Sequence, residues 1–345
     1  MIPLSQFLIP HSSFLINAKN LLAFSHGLDS TALFYLLREE GIDFDIALVN
    51  YGMREQAEEE EAAAAALAKI YGVRAHIVRA PKWERNFEAE ARKFRYGFFE
   101  SLIDRYGYDN LLTAHQLDDR LEWMLMRLIR GAGAVELAGM EAVTRRETAA
   151  GRSYRLIRPL LRQSKAQLRD YLLRRGATWF DDASNADPAY ERNRLRSGLA
   201  GELLRGNEEG IRRSFDYLEA DSRRLLEDFE TLYRTKQLRI ARLADPRARA
   251  RAADRLLKEL GYLLTAAERE RISRGDPLVA GRRWAVEESE SLLYIAPYLR
   301  GIPLPRSFRE RCRKCGIPPK IRTYLYREGI VPESLPSVKT SGHSG

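Results

Sequence analysis

The sequence predicts an α/β fold: a doubly wound parallel sheet in residues 1–205, followed by a smaller, mostly helical part over 206–345. Three observations lead there. Short apolar runs alternate with amphipathic stretches through the first part, the pattern of crossover units that build parallel sheets. That alternation gives way near Arg205 to long Arg- and Leu-rich stretches. A chain of 345 residues also exceeds what one hydrophobic core usually organises.

Leu21-Leu22-Ala23-Phe24 reads as a buried strand, with a helix from about Thr31 to Glu39 stopped at Gly41. Phe44–Val49 reads as a second strand, followed by an Ala- and Glu-rich helix from Arg54 to Tyr71 that closes at Gly72. Ala75–Val78 is a third strand and Phe87–Tyr106 its helix. Asn110–Ala114 is a fourth strand, and Leu121, Leu125 and Leu128 mark the core face of the next helix. Sheets of this kind bind ligands at the carboxyl ends of their strands, which singles out the loops after Phe24, Val49 and Ala114. From 205 to about 264 the sequence reads as helix without strand signals, and Leu278–Tyr298 alternates enough for a small β element.

Hydrophobic residues make up 45% of the chain and charged residues 30%, a globular balance. No apolar run approaches the ~20 residues that span a bilayer. Residues 1–20 lack a basic start and a small-residue cleavage site, which speaks against a secretory signal. Two cysteines, Cys312 and Cys315, form no disulfide framework and suit a reducing cytoplasm. The net charge of +9 is concentrated in 201–345, with 29 Lys and Arg against 21 Asp and Glu. An excess there fits an RNA partner as well as it fits a plain Arg-rich surface.

Ser25-His26-Gly27-Leu28-Asp29-Ser30 lies between a strand and a helix start. Small residues let the backbone approach an anion, and helix N–H groups then face it. Asp29 would repel a bare phosphate, so it suggests a bridging Mg²⁺. The competing reading is a capped turn, with Asp29 or Ser30 as the cap. His115-Gln116-Leu117-Asp118-Asp119-Arg120-Leu121-Glu122 follows the fourth strand. Asp118 and Glu122 share a helix face, and with His115 and Asp119 they could hold a metal or a substrate amine. Capping alone would also explain Asp118. Arg192 and Arg196 lie four apart, suited to a phosphate or carboxylate.

The first of these loops resembles the S-G-G-x-D-S loop of the N-type ATP pyrophosphatases, the PP-loop superfamily, with His26 in place of the first glycine. The second resembles the A-H-H-x-D-D-Q-x-E motif of the tRNA(Ile)-lysidine synthetases, differing at Gln116 and Arg120. Arg130–Gly133 with Gly139-Met140, Arg158–Leu161 with Lys165, and Asp181–Asn185 with Tyr190–Arg196 match further elements of that family in order. The resemblance covers about Asn20 to Arg196.

It implies a PP-loop enzyme that uses ATP and Mg²⁺ to adenylate the wobble cytidine of the CAU-anticodon isoleucine tRNA, then joins L-lysine to it. ATP would lie on Ser25, His26, Gly27, Leu28, Asp29 and Ser30, with the Mg²⁺ on Asp29. Asp29, His115, Asp119 and Glu122 would be catalytic. Asp118, Arg192, Asn193 and Arg196 would hold lysine or tRNA, and the basic C-terminal part would grip the tRNA. The resemblance is compatible with a homodimer. Two other readings stand beside it: a 2-thiocytidine-type PP-loop enzyme, for which residues 1–311 lack the cysteines, and a tRNA-binding protein with an inactive nucleotide pocket.

Overall fold

The computed structural model describes residues 12–52, 57–83, 85–180 and 199–336. The chain divides between Leu218 and Glu219 into two compact units, a little beyond the 205/206 boundary expected from the change of pattern.

The first unit is built on strands β1 (Asn20–Ala23), β2 (Asp45–Asn50), β3 (Ala75–Arg79), β4 (Asn110–Leu112), β5 (Val143–Glu147) and β6 (Ser153–Ile157). Their order is β3-β2-β1-β4-β6-β5. All neighbours are parallel except the edge hairpin β5–β6, which the sequence reading did not anticipate. Helices α1 (Leu28–Glu39), α2 (Ala57–Tyr71), α3 (Phe87–Tyr106) and α4 (Leu117–Ile129) follow β1 to β4, α5 (Ala134–Leu137) comes next, and α6 (Lys165–Arg175) follows β6.

Alternating side chains divide the sheet between two cores. Leu22, Ile46, Leu48, Leu112 and Ile157 pack with residues of α1, α2 and α6. Leu21, Ala47, Leu111, Tyr154 and Leu156 pack with Phe99, Leu102 and Ile103 of α3. Strands β1, β2 and β3 progress outward in one direction, whereas β4 lies on the other side of β1. The order therefore reverses between β1 and β4, and the crevice at their carboxyl ends is where an open α/β sheet receives a ligand.

The second unit carries an antiparallel sheet of β7 (Phe229–Arg234), β8 (Arg239–Leu243), β9 (Leu278–Ala280), β10 (Trp284–Ser289) and β11 (Leu292–Pro297), ordered β7-β8-β11-β10-β9. Helix residues from Arg249–Glu259 and Ala266–Ser273 cover one face, and those from Arg306–Lys314 and Pro319–Arg327 the other. The strands over 278–297 agree with the expected β element. The helical reading of 205–264 needs correction, because β7 and β8 lie within it. Arg239 shows why. Its guanidinium is buried against Glu259 and the carbonyl of Leu238, so a residue that reads as helical surface is part of a strand interior. Among the described residues no helix is long and apolar enough to cross a membrane.

Candidate nucleotide and amine site

Strand β1 ends at Ala23 and α1 begins at Leu28, so Phe24–Gly27 make the turn. Gly27, in extended conformation, is the N-cap, and no side chain caps the helix there. Asp29 and Ser30 thus lie inside the first turn, which corrects the reading of either as the cap. The N–H groups opening α1 thus have no side-chain cap, the condition under which a helix N-terminus can receive an anion.

The hydroxyls of Ser25 and Ser30 are 3.1 Å apart across the turn. The Gly27 N–H donates to Ser25 Oγ at 3.3 Å, and Ser30 Oγ lies 3.1 Å from the Gly27 carbonyl, to which it donates. Hydrogen bonds this long are readily exchanged for bonds to phosphate oxygens. A Cβ on Gly27 would come within 3.3 Å of Ser25 Oγ, so glycine is what lets the turn close this tightly.

His26 has φ +56°, the left-handed region that favours glycine. Its ring is 5% exposed and lies 5.3 Å from the ring of Phe24 and 5.2 Å from that of Phe180. Its carbonyl accepts a 2.9 Å hydrogen bond from the Phe180 N–H, part of a parallel bridge between Gly27 and Phe180. The imidazole also hydrogen-bonds to the backbone of Glu60 in α2, while burial pushes its pKa below the ordinary 6.5. A strained backbone is thus held by apolar packing, by main-chain pairing to Phe180 and by the imidazole's bond to α2.

The second loop follows β4, the strand beside β1. His115 Nδ1 is 2.9 Å from the Thr113 hydroxyl. Gln116 caps α4: its side chain accepts from the Asp118 N–H, and Asp119 Oδ2 accepts from the Gln116 N–H at 3.1 Å. One carboxylate oxygen of Asp119 therefore serves the cap. Asp118 Oδ2 accepts from the Lys165 N–H at 2.9 Å, at the start of α6, and burial raises the carboxyl pKa despite that bond. Glu122, one turn on, is 1% exposed. A carboxylate so deep in a protein is costly unless something offsets its charge.

The structure thus brings Ser25–Ser30 and His115–Glu122 to neighbouring strand ends. Residues 181–198 lie outside the described residues, and with them the signature Asp181–Arg196, including Arg192, Asn193 and Arg196. Sequence reasoning matched Arg158–Leu161 and Lys165 without giving them a role. Here Ile157 O accepts from the Thr113 N–H, Gln163 O from the Leu117 N–H, and Asp118 binds the Lys165 N–H, so this segment stitches the His115 loop to the next strand. Among the described residues no three His, Cys, Asp or Glu side chains group to hold a metal by themselves.

Residues 4–203 match the family model of the PP-loop ATP-binding domain. The chain is 39% identical to the tRNA(Ile)-lysidine synthase of Campylobacter jejuni over 94% of its own length and 97% of that protein. It is 42% identical to that of Wolinella succinogenes, covering 90% and 94%, and 37% identical to that of Helicobacter pylori, covering 92% of each. Among solved structures, a U34-tRNA thiolase from Methanococcus maripaludis shares the fold, with a TM-score of 0.51 at 19% identity over 63% of this chain and 76% of the other. An uncapped helix N-terminus at the sheet's switch point, an acidic helix start on the adjacent strand and near-full-length similarity to these synthases agree: the chain belongs to the tRNA(Ile)-lysidine synthase family of PP-loop proteins.

Proposed function

We propose that this protein is an ATP-dependent ligase that forms lysidine in an isoleucine tRNA, with the Ser25–Ser30 turn as the seat of the nucleotide's phosphates. The observation that carries the reading is the contrast between the two helix starts. The N-terminus of α4 is closed by its own Gln116 and Asp119, whereas that of α1 has no side-chain cap and stays open for an anion.

The chemistry makes a poor leaving group into a good one. The carbonyl oxygen at position two of the wobble cytosine attacks the α-phosphorus of ATP and pyrophosphate departs. The amine of L-lysine then attacks the ring carbon, loses a proton, and the oxygen leaves with AMP. Donors at the start of α1 and the Ser25 and Ser30 hydroxyls would stabilise the charge growing on pyrophosphate. Asp29, a hard oxygen donor in the first turn of α1, fits a Mg²⁺ shared with the phosphates, because among the described residues no three His, Cys, Asp or Glu side chains would hold the ion by themselves. Such an ion would neutralise phosphate charge.

Asp119 and Glu122 would hold the lysine ammonium and guide its deprotonation, with His115 beside the adenylate. Asp118 would act through its tie to Lys165, by fixing the loop. His26 would serve through its backbone, which shapes the turn. Arg192, Asn193 and Arg196 would bind the lysine carboxylate or the RNA backbone, and the basic second unit would grip the tRNA. A single-stranded anticodon loop can present one base to such a pocket.

The sulfur-transfer alternative draws no support from the cysteines. Cys312 is buried in the core of the second unit, where its thiol is pushed up to about 11, and Cys315 packs against the same core. Mass analysis of isoleucine tRNA after incubation with ATP, Mg²⁺ and lysine tests the proposal. A lysine-sized addition at the wobble cytidine is expected. An unmodified tRNA, with the protein folded and binding ATP, would overturn it.

A further inference from the structure

We propose that Arg92, Arg146 and Arg158, gathered around Tyr96, form a phosphate site for the RNA backbone beside the reacting nucleotide. The proposal rests on the lysidine-forming reading for the identity of that RNA.

Arg158 directly follows β6, the strand next to β4, so it lies at the same edge of the sheet as the His115 loop. Tyr154 and Leu156 point to the face covered by α3, and the alternation carries residue 158 to that face. Across it, α3 supplies Arg92 and Tyr96. The edge strand β5 supplies Arg146, which pairs with Tyr154 in register. The guanidinium carbons of Arg92 and Arg146 each lie 5.0 Å from the centroid of the Tyr96 ring. One aromatic ring therefore orients two cations on adjacent elements.

Arg158 is only 9% exposed. It donates from one terminal nitrogen to the Glu141 carbonyl at 2.5 Å and to the Thr144 hydroxyl at 3.3 Å, while its buried Nε has no hydrogen-bond partner. Burial pulls its pKa down, and the like charges of Arg146 and Arg92 add to that. Among the described residues none of the three arginines forms an ion pair with a carboxylate. The acidic groups nearby are Glu141, which acts on Arg158 electrostatically, and Glu100, which shares the Tyr154 hydroxyl with Arg146. Arg95, on the same helix, is engaged with Tyr51.

Three guanidiniums brought together with no carboxylate pair among the described residues, one of them buried with an Nε–H unanswered there, is an arrangement that an arriving anion would stabilise. The planar guanidinium fork matches a phosphate bidentately. The source of the phosphate follows from placement. The nucleotide's seat is at β1, and β6 is two strands away, roughly 10 Å at ordinary strand spacing. The His115 loop lies between. A phosphodiester flanking a base held over that loop reaches the arginines, whereas a triphosphate seated on α1 occupies the other side.

The test is binding of a CAU anticodon stem–loop RNA to Arg92→Ala and Arg146→Gln proteins across a salt series, with ATP affinity measured calorimetrically on the same samples. RNA affinity is expected to fall by about tenfold, and the slope of log affinity against log salt to drop by about 0.7 for each phosphate lost. ATP affinity stays unchanged, and Arg92→Lys keeps the slope. Arg92 is exposed, so its replacement leaves folding intact, and the ATP signal verifies this. Unchanged RNA affinity and slope in both variants would overturn the site. Lost ATP affinity with RNA binding retained would assign the cluster to the nucleotide and equally overturn the proposal. If the unmodified protein binds RNA with the expected arginine dependence but adds no lysine, the functional reading fails while this site stands.

Discussion

Replacing His26 sets backbone strain against packing at the tip of the nucleotide turn. Its φ of +56° costs a non-glycine residue about 1–2 kcal/mol, which His26→Gly would release. Against that stand two aromatic contacts, to Phe24 and Phe180, each contributing about 0.5–1.5 kcal/mol beyond simple burial. Glycine also brings about 0.5–1 kcal/mol of extra chain entropy to be lost on folding. The net expectation is a loss of about 1 kcal/mol, a drop in melting temperature of about 2–4 °C for a unit of this size. His26→Ala loses the same contacts and keeps the strain, so it should be about 1 kcal/mol worse than His26→Gly. Thermal and urea unfolding would measure the order, and calorimetry would follow ATP. An alanine variant as stable as the glycine variant would refute the strain. A glycine variant with near-native stability and no ATP binding would refute the packing role and make the imidazole a phosphate ligand.

Gly27→Ala places a Cβ at 3.3 Å from Ser25 Oγ, so that hydroxyl must shift; ATP affinity should fall about tenfold, on the order of 1.4 kcal/mol, as read by calorimetry. Asp119→Ala removes an α4 cap and should cost about 1 kcal/mol of stability, whereas Asp119→Asn retains most of that cap. If Asp119 manages the lysine amine, both variants lose lysine incorporation; incorporation at the native rate by Asp119→Asn would leave it a cap alone. Burial holds the imidazoles of His26 and His76 below their ordinary pKa of 6.5. Below that value the unfolded chain binds protons that the folded chain resists, so stability should be full above about pH 6.5 and decline on acidification. Urea midpoints between about pH 7.5 and 5.5 would show it, and His26→Gly should flatten the decline.

Much of the first unit was legible in the sequence because its inner parallel strands β1, β2 and β4 are largely buried on both faces and read as continuous apolar runs. Leu21–Phe24, Phe44–Val49 and Ala75–Val78 each lie within two residues of an observed strand. The β5–β6 hairpin escaped because Val143–Glu147 is an edge strand, with polar and charged side chains where an inner strand has apolar ones. Strands β7 and β8 escaped for a related reason. Two of their arginines, Arg234 and Arg239, both pair with Glu259, and a partner 20 or more residues away leaves no local trace.

At the candidate site, residue types and spacing were enough to find both loops and to suggest the chemistry each could hold. The resemblance to the S-G-G-x-D-S loop marked His26 as the odd member of its turn, and its φ of +56° in the structure gives the physical reason a glycine suits that position. Tertiary structure decided what each group is free to do. Asp118 and Asp119, neighbours in sequence, are separated by their partners, one tied to the start of α6 and the other to its own helix cap. The arginines around Tyr96 come from three elements whose residues span 92 to 158, and only the pairing of β6 with β4 brings them beside the His115 loop. The physical reason is range. Helix periodicity, turn chemistry and capping act over a few residues and are written along the chain, whereas convergence of charge and burial of a polar group depend on which strands become neighbours.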